Sequence, residues 1–297
     1  MIKGAYCVPG PELPPLETQY AVPVTRYAHL TFAQRYLPPM SSPGLAIVTG
    51  ASAGIGRVYA QRLAARGHDL LLVARDRDRL TALCAELSAA HGVQAEAFVA
   101  DLSTFEGIAA LTARVREARD LAVLVNNAGF GTRGVIGKAD PAGQTRMLRL
   151  HVDAVHELTQ AALPGMRERR RGWVITVASV ASWVPALGNV NYNATKGYQR
   201  MYCEAVALEL AGSGVHVHAV CPGFTYSEFH DRVGTGRTGL PLWSFLPAER
   251  VVDESLAHAA ANGGPVLVPG KRWKVLAFLA RNVLWILGPL RNRYRRD

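Results

Sequence analysis

The stretch Leu45–Gly56, LAIVTGASAGIG, joins a short apolar run to a turn carrying glycine at Gly50, Gly54 and Gly56. A continuous apolar run ended by turn residues reads as a strand covered on both faces. Glycines allow the tight turn and a close backbone approach, and the helix expected after them offers unpaired N–H groups and a positive dipole end. Strand, glycine turn and helix in this order predict a nucleotide phosphate cradle built from Gly50, Ser52, Ala53, Gly54, Ile55 and Gly56. A packing turn without a ligand would use the same glycines, so the rest of the chain has to decide between them.

Outward from this turn the same rhythm repeats. Apolar runs stand at 45–49, 70–74, 95–100, 121–126, 173–178, 215–220 and 265–268. Helix-length segments separate them at Gly56–Arg66, Asp78–His91, Phe105–Arg119, Pro141–Arg169 and Tyr192–Leu210. Strands alternating with helices predict an α/β fold, a doubly wound parallel sheet with right-handed crossovers and ligands beyond the carboxyl ends of its strands.

Composition narrows the class. Of the 297 residues, 49% are hydrophobic and 19% charged, which suits a globular chain with a large core. Four cysteines, Cys7, Cys84, Cys203 and Cys221, are scattered without metal or redox spacing and point to a reducing, cytoplasmic setting. The net charge of +10 is concentrated in residues 271–297, where eight Lys and Arg face only Asp297. With its charge set aside in the tail, the body carries no basic stripe of the kind nucleic acids require. The expected organisation is an irregular N-terminal extension at 1–43, a catalytic domain at 44–270 and a basic amphipathic tail at 271–297. Translation could begin at Met1 or at Met40, and the start has no apolar core of a secretory signal.

Two further stretches carry chemistry. NYNATKGYQRMY places Tyr192 and Lys196 four apart, on one face of the predicted helix. An ammonium beside a phenol favours the phenolate and moves it toward acid/base work at neutral pH, although both are also ordinary helix-surface residues. LLVARDRDRL ends the second strand with Ala74 and Arg75 where an acidic residue would hold a ribose diol. An arginine there suits a 2′-phosphate, so NADP(H) is expected ahead of NAD(H).

Together these markers resemble the short-chain dehydrogenase/reductase family over roughly residues 44–270. TGASAGIG resembles its TGxxxGxG turn, NNAG at Asn126–Gly129 the motif closing its fourth strand, and YNATK its YxxxK. Ser179 stands at the family's serine, CPG at Cys221–Gly223 resembles its PG turn, and Asp101 with Leu102 falls where the family contacts adenine. The resemblance implies a Rossmann-like single domain that interconverts a carbonyl and an alcohol by hydride transfer. It makes Tyr192 the general acid/base, Lys196 the group that lowers its pKa and holds the nicotinamide ribose, and Ser179 the anchor of the substrate oxygen. It further implies cofactor contacts at Asn127, Ala128, Gly129, Pro222, Gly223, Thr225 and Ser227. One position departs from the pattern: His151 occupies the place of the family's helix asparagine, whose main-chain carbonyl holds a relay water. A relay role and simple packing are both open to this histidine.

The segment after Gly223 reads as a mobile lid, with Phe224, Phe229, Trp243, Phe245 and the earlier Trp183 available to line an apolar cleft. The resemblance implies a small lipophilic carbonyl or alcohol substrate and a homo-oligomer; a cofactor-binding regulator without turnover is the competing reading. The tail is too short in apolar residues to span a membrane. Its helix, expected over 272–287, should dock beside the lid, with Arg291, Arg293, Arg295 and Arg296 giving weak peripheral membrane contact.

Overall fold

The structure, a computed structural model, describes residues 43–132, 134–226 and 245–282. The N-terminal extension, Ser227, Phe229, Trp243 and the arginine end of the tail lie outside the described residues. Seven strands form one parallel sheet: β1 (Leu45–Thr49), β2 (Asp69–Ala74), β3 (Ala95–Val99), β4 (Leu121–Asn126), β5 (Gly172–Val177), β6 (Val215–Val220) and β7 (Val266–Leu267). Their order is β3-β2-β1-β4-β5-β6-β7, so the chain reverses direction across the sheet between β1 and β4. In β1, Ala46, Ile47 and Val48 are wholly buried, as a strand covered on both faces requires.

The helices are α1 (Gly54–Ala64), α2 (Arg77–His91), α3 (Phe105–Glu117), α4 (Pro141–Leu148), α5 (Ala154–Glu168), α6 (Val190–Glu209), α7 (Ala248–Ala260) and α8 (Lys271–Asn282). Apolar side chains of α1, α2 and α7 pack with one face of the sheet, and those of α3, α5 and α6 with the other. Local chemistry sets several ends. Asp76 accepts from the Arg79 N–H to start α2, which stops at Gly92 in the left-handed region at φ 69°. Asp140 caps α4 with Pro141 in its first turn.

The single helix expected over Pro141–Arg169 is interrupted. A π turn at Arg149–Asp153 separates α4 from α5. The buried positions Met147, His151, Val155 and Thr159 keep a spacing of four straight through it, so the pattern along the sequence does not mark the turn.

Candidate active site

The carboxyl ends of the strands open into one cavity of about 1050 Å³. The residues just past successive strand ends line it: Gly50 after β1, Arg75 after β2, Asp101 near β3, Asn127 after β4, Ser179 near β5 and Pro222 near β6. The reversal between β1 and β4 leaves a crevice between their loops, which is where open α/β sheets bind ligands.

Thr49 and Asn127 stitch the two loops at that crevice. The Thr49 hydroxyl accepts the N–H groups of Asn127 (2.9 Å) and Ala128 (3.0 Å). The Asn127 side chain in turn donates to the Thr49 carbonyl at 2.9 Å. The approach is so close that a Cβ at Gly50 would lie 2.8 Å from Asn127 Nδ2 and 2.9 Å from Ala128 Cα, and Gly50 has φ 67°. Gly56 does not line the cavity as expected. Its missing Cβ would sit 2.3 Å from the Gly50 carbonyl, so its role is to let α1 pack against the turn. Ser52, Ala53, Gly54 and Ile55 all line the cavity at the start of α1.

At the outer end the side chains are charged and solvent-facing. Arg75 is 65% exposed and stands 3.9 Å from Asp101. Burial alone would raise the Asp101 pKa, but two hydrogen bonds from Ser103 and the charges of Arg75 and Arg146 outweigh it and hold the carboxyl below its usual value. Leu102 lies beside it, 4% exposed.

The inner end is short of charge, with Ser179 and Tyr192 half-buried and Lys196 buried. The hydroxyls of Tyr192 and Ser179 are hydrogen-bonded, and Ser179 Oγ accepts from the Ala181 N–H at 3.1 Å. Lys196, 5% exposed, has its Nζ 5.9 Å from the centre of the Tyr192 ring. Its ammonium donates to the Val177 carbonyl at 2.8 Å and to Gln199 Oε1 at 2.9 Å. Burial dominates both titrations: it pushes the Tyr192 phenol up to about 12 against the opposing Ser179 hydrogen bond, and pushes Lys196 down to about 7. The shift at Tyr192 is opposite in sign to the lowering that the resemblance implies, because desolvation of the phenolate is the largest influence on it and the Ser179 hydrogen bond offsets only part of that.

His151 lies in the π turn and is fully buried. Thr195 Oγ1 spends its proton on the Tyr192 carbonyl at 2.9 Å, so its contact with His151 Nδ1, also 2.9 Å, requires that ring nitrogen to donate. The ring is therefore the Nδ1–H tautomer, and burial together with the Lys196 charge keeps it neutral. Its Nε2 has no hydrogen-bond partner among the described residues and would lie 2.8 Å from a Cβ at Gly129, so the imidazole needs a glycine there.

Ala128, Gly129, Pro222, Gly223 and Thr225, expected as cofactor contacts, line this cavity. The sequence reading missed Gln199, one turn past Lys196, and Thr195, which holds the histidine. Trp183 is not in the cavity lining; it takes the Arg200 guanidinium over its ring at 5.1 Å and pins α6. Phe224 does line the cavity, backed by Phe245 at 5.6 Å between ring centres. Trp273 of α8 crosses edge-on to Phe224 at 5.5 Å and lies flat on Gly223, where a Cβ would meet its ring at 1.9 Å. The rest of α8 is less covered than expected: Val275 and Phe278 are 60% and 65% exposed. Among the described residues no helix is long and apolar enough to cross a membrane.

A parallel doubly wound sheet with a glycine turn at its crevice and a Ser-Tyr-Lys cluster on the adjoining strand and helix defines a nucleotide-dependent oxidoreductase. The short chain dehydrogenase family model matches residues 44–237, and the chain belongs to that family. It is 40% identical over 237 residues to the uncharacterized oxidoreductase YmfI of Bacillus subtilis, covering 74% of this chain and 97% of that one. Among solved structures it is similar to a short-chain dehydrogenase from Sphingobium yanoikuyae in complex with NADPH, at 34% identity and a TM-score of 0.73 over 82% of this chain and 95% of that one. It is also similar to the bulky-bulky ketone specific alcohol dehydrogenase from Comamonas testosteroni, at 28% identity and a TM-score of 0.69 over 85% and 99% of the two chains.

Proposed function

We propose that this protein is an NADP(H)-dependent oxidoreductase that interconverts a lipophilic ketone or aldehyde and its alcohol. The observation carrying the proposal is that the Ser179 and Tyr192 hydroxyls and the Lys196 ammonium meet in the same cavity as the glycine turn. The residues suit the cofactor: the bare backbone at Gly50, in close contact with Asn127 and Ala128, would meet pyrophosphate at the start of α1, and Arg75 would take the 2′-phosphate. When bound, NADPH supplies the hydride that reduces a carbonyl carbon.

The protein's own part is to hold the oxygen and move the proton. Ser179 and Tyr192, already joined through their hydroxyls, converge on one substrate oxygen, Ser179 donating a hydrogen bond and Tyr192 passing its proton as negative charge develops there. Lys196 stabilises the tyrosinate left behind. Phe224 and the edge of Trp273 give the substrate side an apolar wall, which fits the bulky ketones named for the Comamonas relative.

The test is NADPH oxidation over a panel of bulky aryl and alkyl ketones, repeated with NADH. Turnover with NADPH supports the reading; tight NADPH binding with no ketone reduced would point instead to a cofactor-binding regulator. We further propose that Arg291, Arg293, Arg295 and Arg296, which follow α8 and its uncovered side in the sequence, give a weak contact with anionic membrane, checked by vesicle co-sedimentation at low and high salt. Failure to sediment, with dimers seen by light scattering, would assign that side to a second copy.

A further inference from the structure

Behind the inner end of the cavity, against Lys196, lies a buried side chain that the Ser-Tyr-Lys chemistry leaves unused. Gln199 is 1% exposed and lies one helical turn beyond Lys196, on the same side of α6. Both ends of its amide are occupied. Oε1 accepts from Lys196 Nζ at 2.9 Å, and Nε2 donates to the main-chain carbonyl of His151 at 3.0 Å. The orientation is forced, since an ammonium can only donate and a carbonyl can only accept.

We propose that Gln199 is a positioning residue for the proton-transfer site, a rigid adaptor that ties Lys196 to the π turn and thereby sets where the ammonium stands beside Tyr192. The inference rests on the Ser179, Tyr192 and Lys196 reading above. Its structural basis is the π turn at Arg149–Asp153. Such turns disturb the regular helical ladder and recur at functional sites, and here the His151 carbonyl meets a side chain of the neighbouring helix. An ammonium has three N–H bonds; two point to the Val177 carbonyl and to Gln199, so tetrahedral geometry fixes the direction of the third.

The same contacts govern the charge. The titratable groups that face Lys196 are Tyr192 on its own helix, His151 on the π turn and Cys221 just past β6. Burial holds the tyrosine and the cysteine up at about 12, and the histidine is kept neutral. No carboxylate is among the groups that shift Lys196, so its charged form leans on two neutral oxygens, those of Val177 and Gln199. Removing one of them should discharge the lysine at lower pH, and replacing it by a carboxylate should keep the lysine charged to higher pH.

The chain has only five lysines, so ¹³Cε-lysine NMR of the full-length protein, with Lys196→Met as the assignment control, follows Lys196 without needing turnover. The expected result is a midpoint about one pH unit lower in Gln199→Leu and about one unit higher in Gln199→Glu. The alkaline limb of kcat/KM should move in the same two directions. Gln199→Asn, too short to bridge, should resemble the leucine variant and serves in its place should leucine fail to fold. Coincident Lys196 midpoints in the folded variants would overturn the proposal. Opposed midpoints without reduction of any ketone would leave the positioning role standing and overturn the enzymatic reading instead.

Discussion

The two ends of the cavity solve the same problem, holding a charged group in place, by opposite means. At the outer end Arg75 is 65% exposed and shares its field with Asp101 and the nearby Arg146. At the inner end Lys196 is nearly wholly buried and is held by a carbonyl and an amide. Water screens the outer charges and allows one to replace another, so single losses there should be modest and salt-dependent. A buried ammonium has no such substitute. Loss of any member of its network should be large and should change pH behaviour, because burial has already moved the titrations close to their working limits.

The predicted effects fall in that order. Lys196→Ala should lower kcat/KM by about 10²–10⁴-fold, the range for a positioned proton-transfer site, while the thermal midpoint changes little; an effect under tenfold would break the comparison at its strong end. Arg75→Ala should weaken NADPH binding about tenfold at low salt and leave NADH nearly unchanged. Isothermal titration at two salt concentrations distinguishes this from equal weakening of both cofactors, which would remove Arg75 from phosphate recognition.

A second buried polar network sharpens the same contrast away from the cavity. Tyr59 donates to Ser255 at 2.6 Å, Ser255 meets His218 at 3.0 Å, and His218 meets His216 at 3.1 Å, linking α1, α7 and β6. Burial lowers the pKa of His216 to about 4 and also lowers those of His218 and His258. Unfolding lets these rings take protons near pH ~6.5 that the folded state refuses. Stability is therefore full above that pH and falls as pH drops from there toward about 4, the folded value for His216. Each ring contributes up to ~1.4 kcal/mol per pH unit. Urea unfolding at pH 7 and pH 5 should show the midpoint falling, and His216→Gln should flatten that slope. The smallest effect is expected at His151→Asn. The main-chain carbonyl used by Gln199 is retained, so kcat/KM should stay within about threefold; a much larger loss would show that the imidazole itself takes part.

The sheet was legible because its signal is long and repeated. Runs such as 45–49, 121–126 and 215–220 coincide with β1, β4 and β6 to the residue, since continuous apolar strands between turn residues have few alternative homes. The outer end of the cavity was legible for a similar reason: a glycine turn and a residue at a strand tip are local features. The inner end was legible only in part. Tyr192 and Lys196 share one helix and show in the spacing. The His151 carbonyl and Gln199 meet across 48 positions of chain, and a main-chain acceptor has no letter of its own in the sequence. The π turn that presents it leaves the apolar stripe intact, and Trp183 carries no mark to show whether an aromatic lines a cleft or, as here, braces a helix with Arg200.

The proposed function turns on Tyr192 moving a proton within a site suited to NADPH and a lipophilic carbonyl. Its most direct test is NADPH-dependent reduction of bulky ketones by the wild-type protein and by Tyr192→Phe, with NADPH affinity measured on the same samples. Turnover of at least one ketone by the wild type is expected, with a loss of about 10²–10⁴-fold in the phenylalanine variant and cofactor affinity retained. Equal turnover by the two proteins, or NADPH binding by both with no ketone reduced by either, would contradict it.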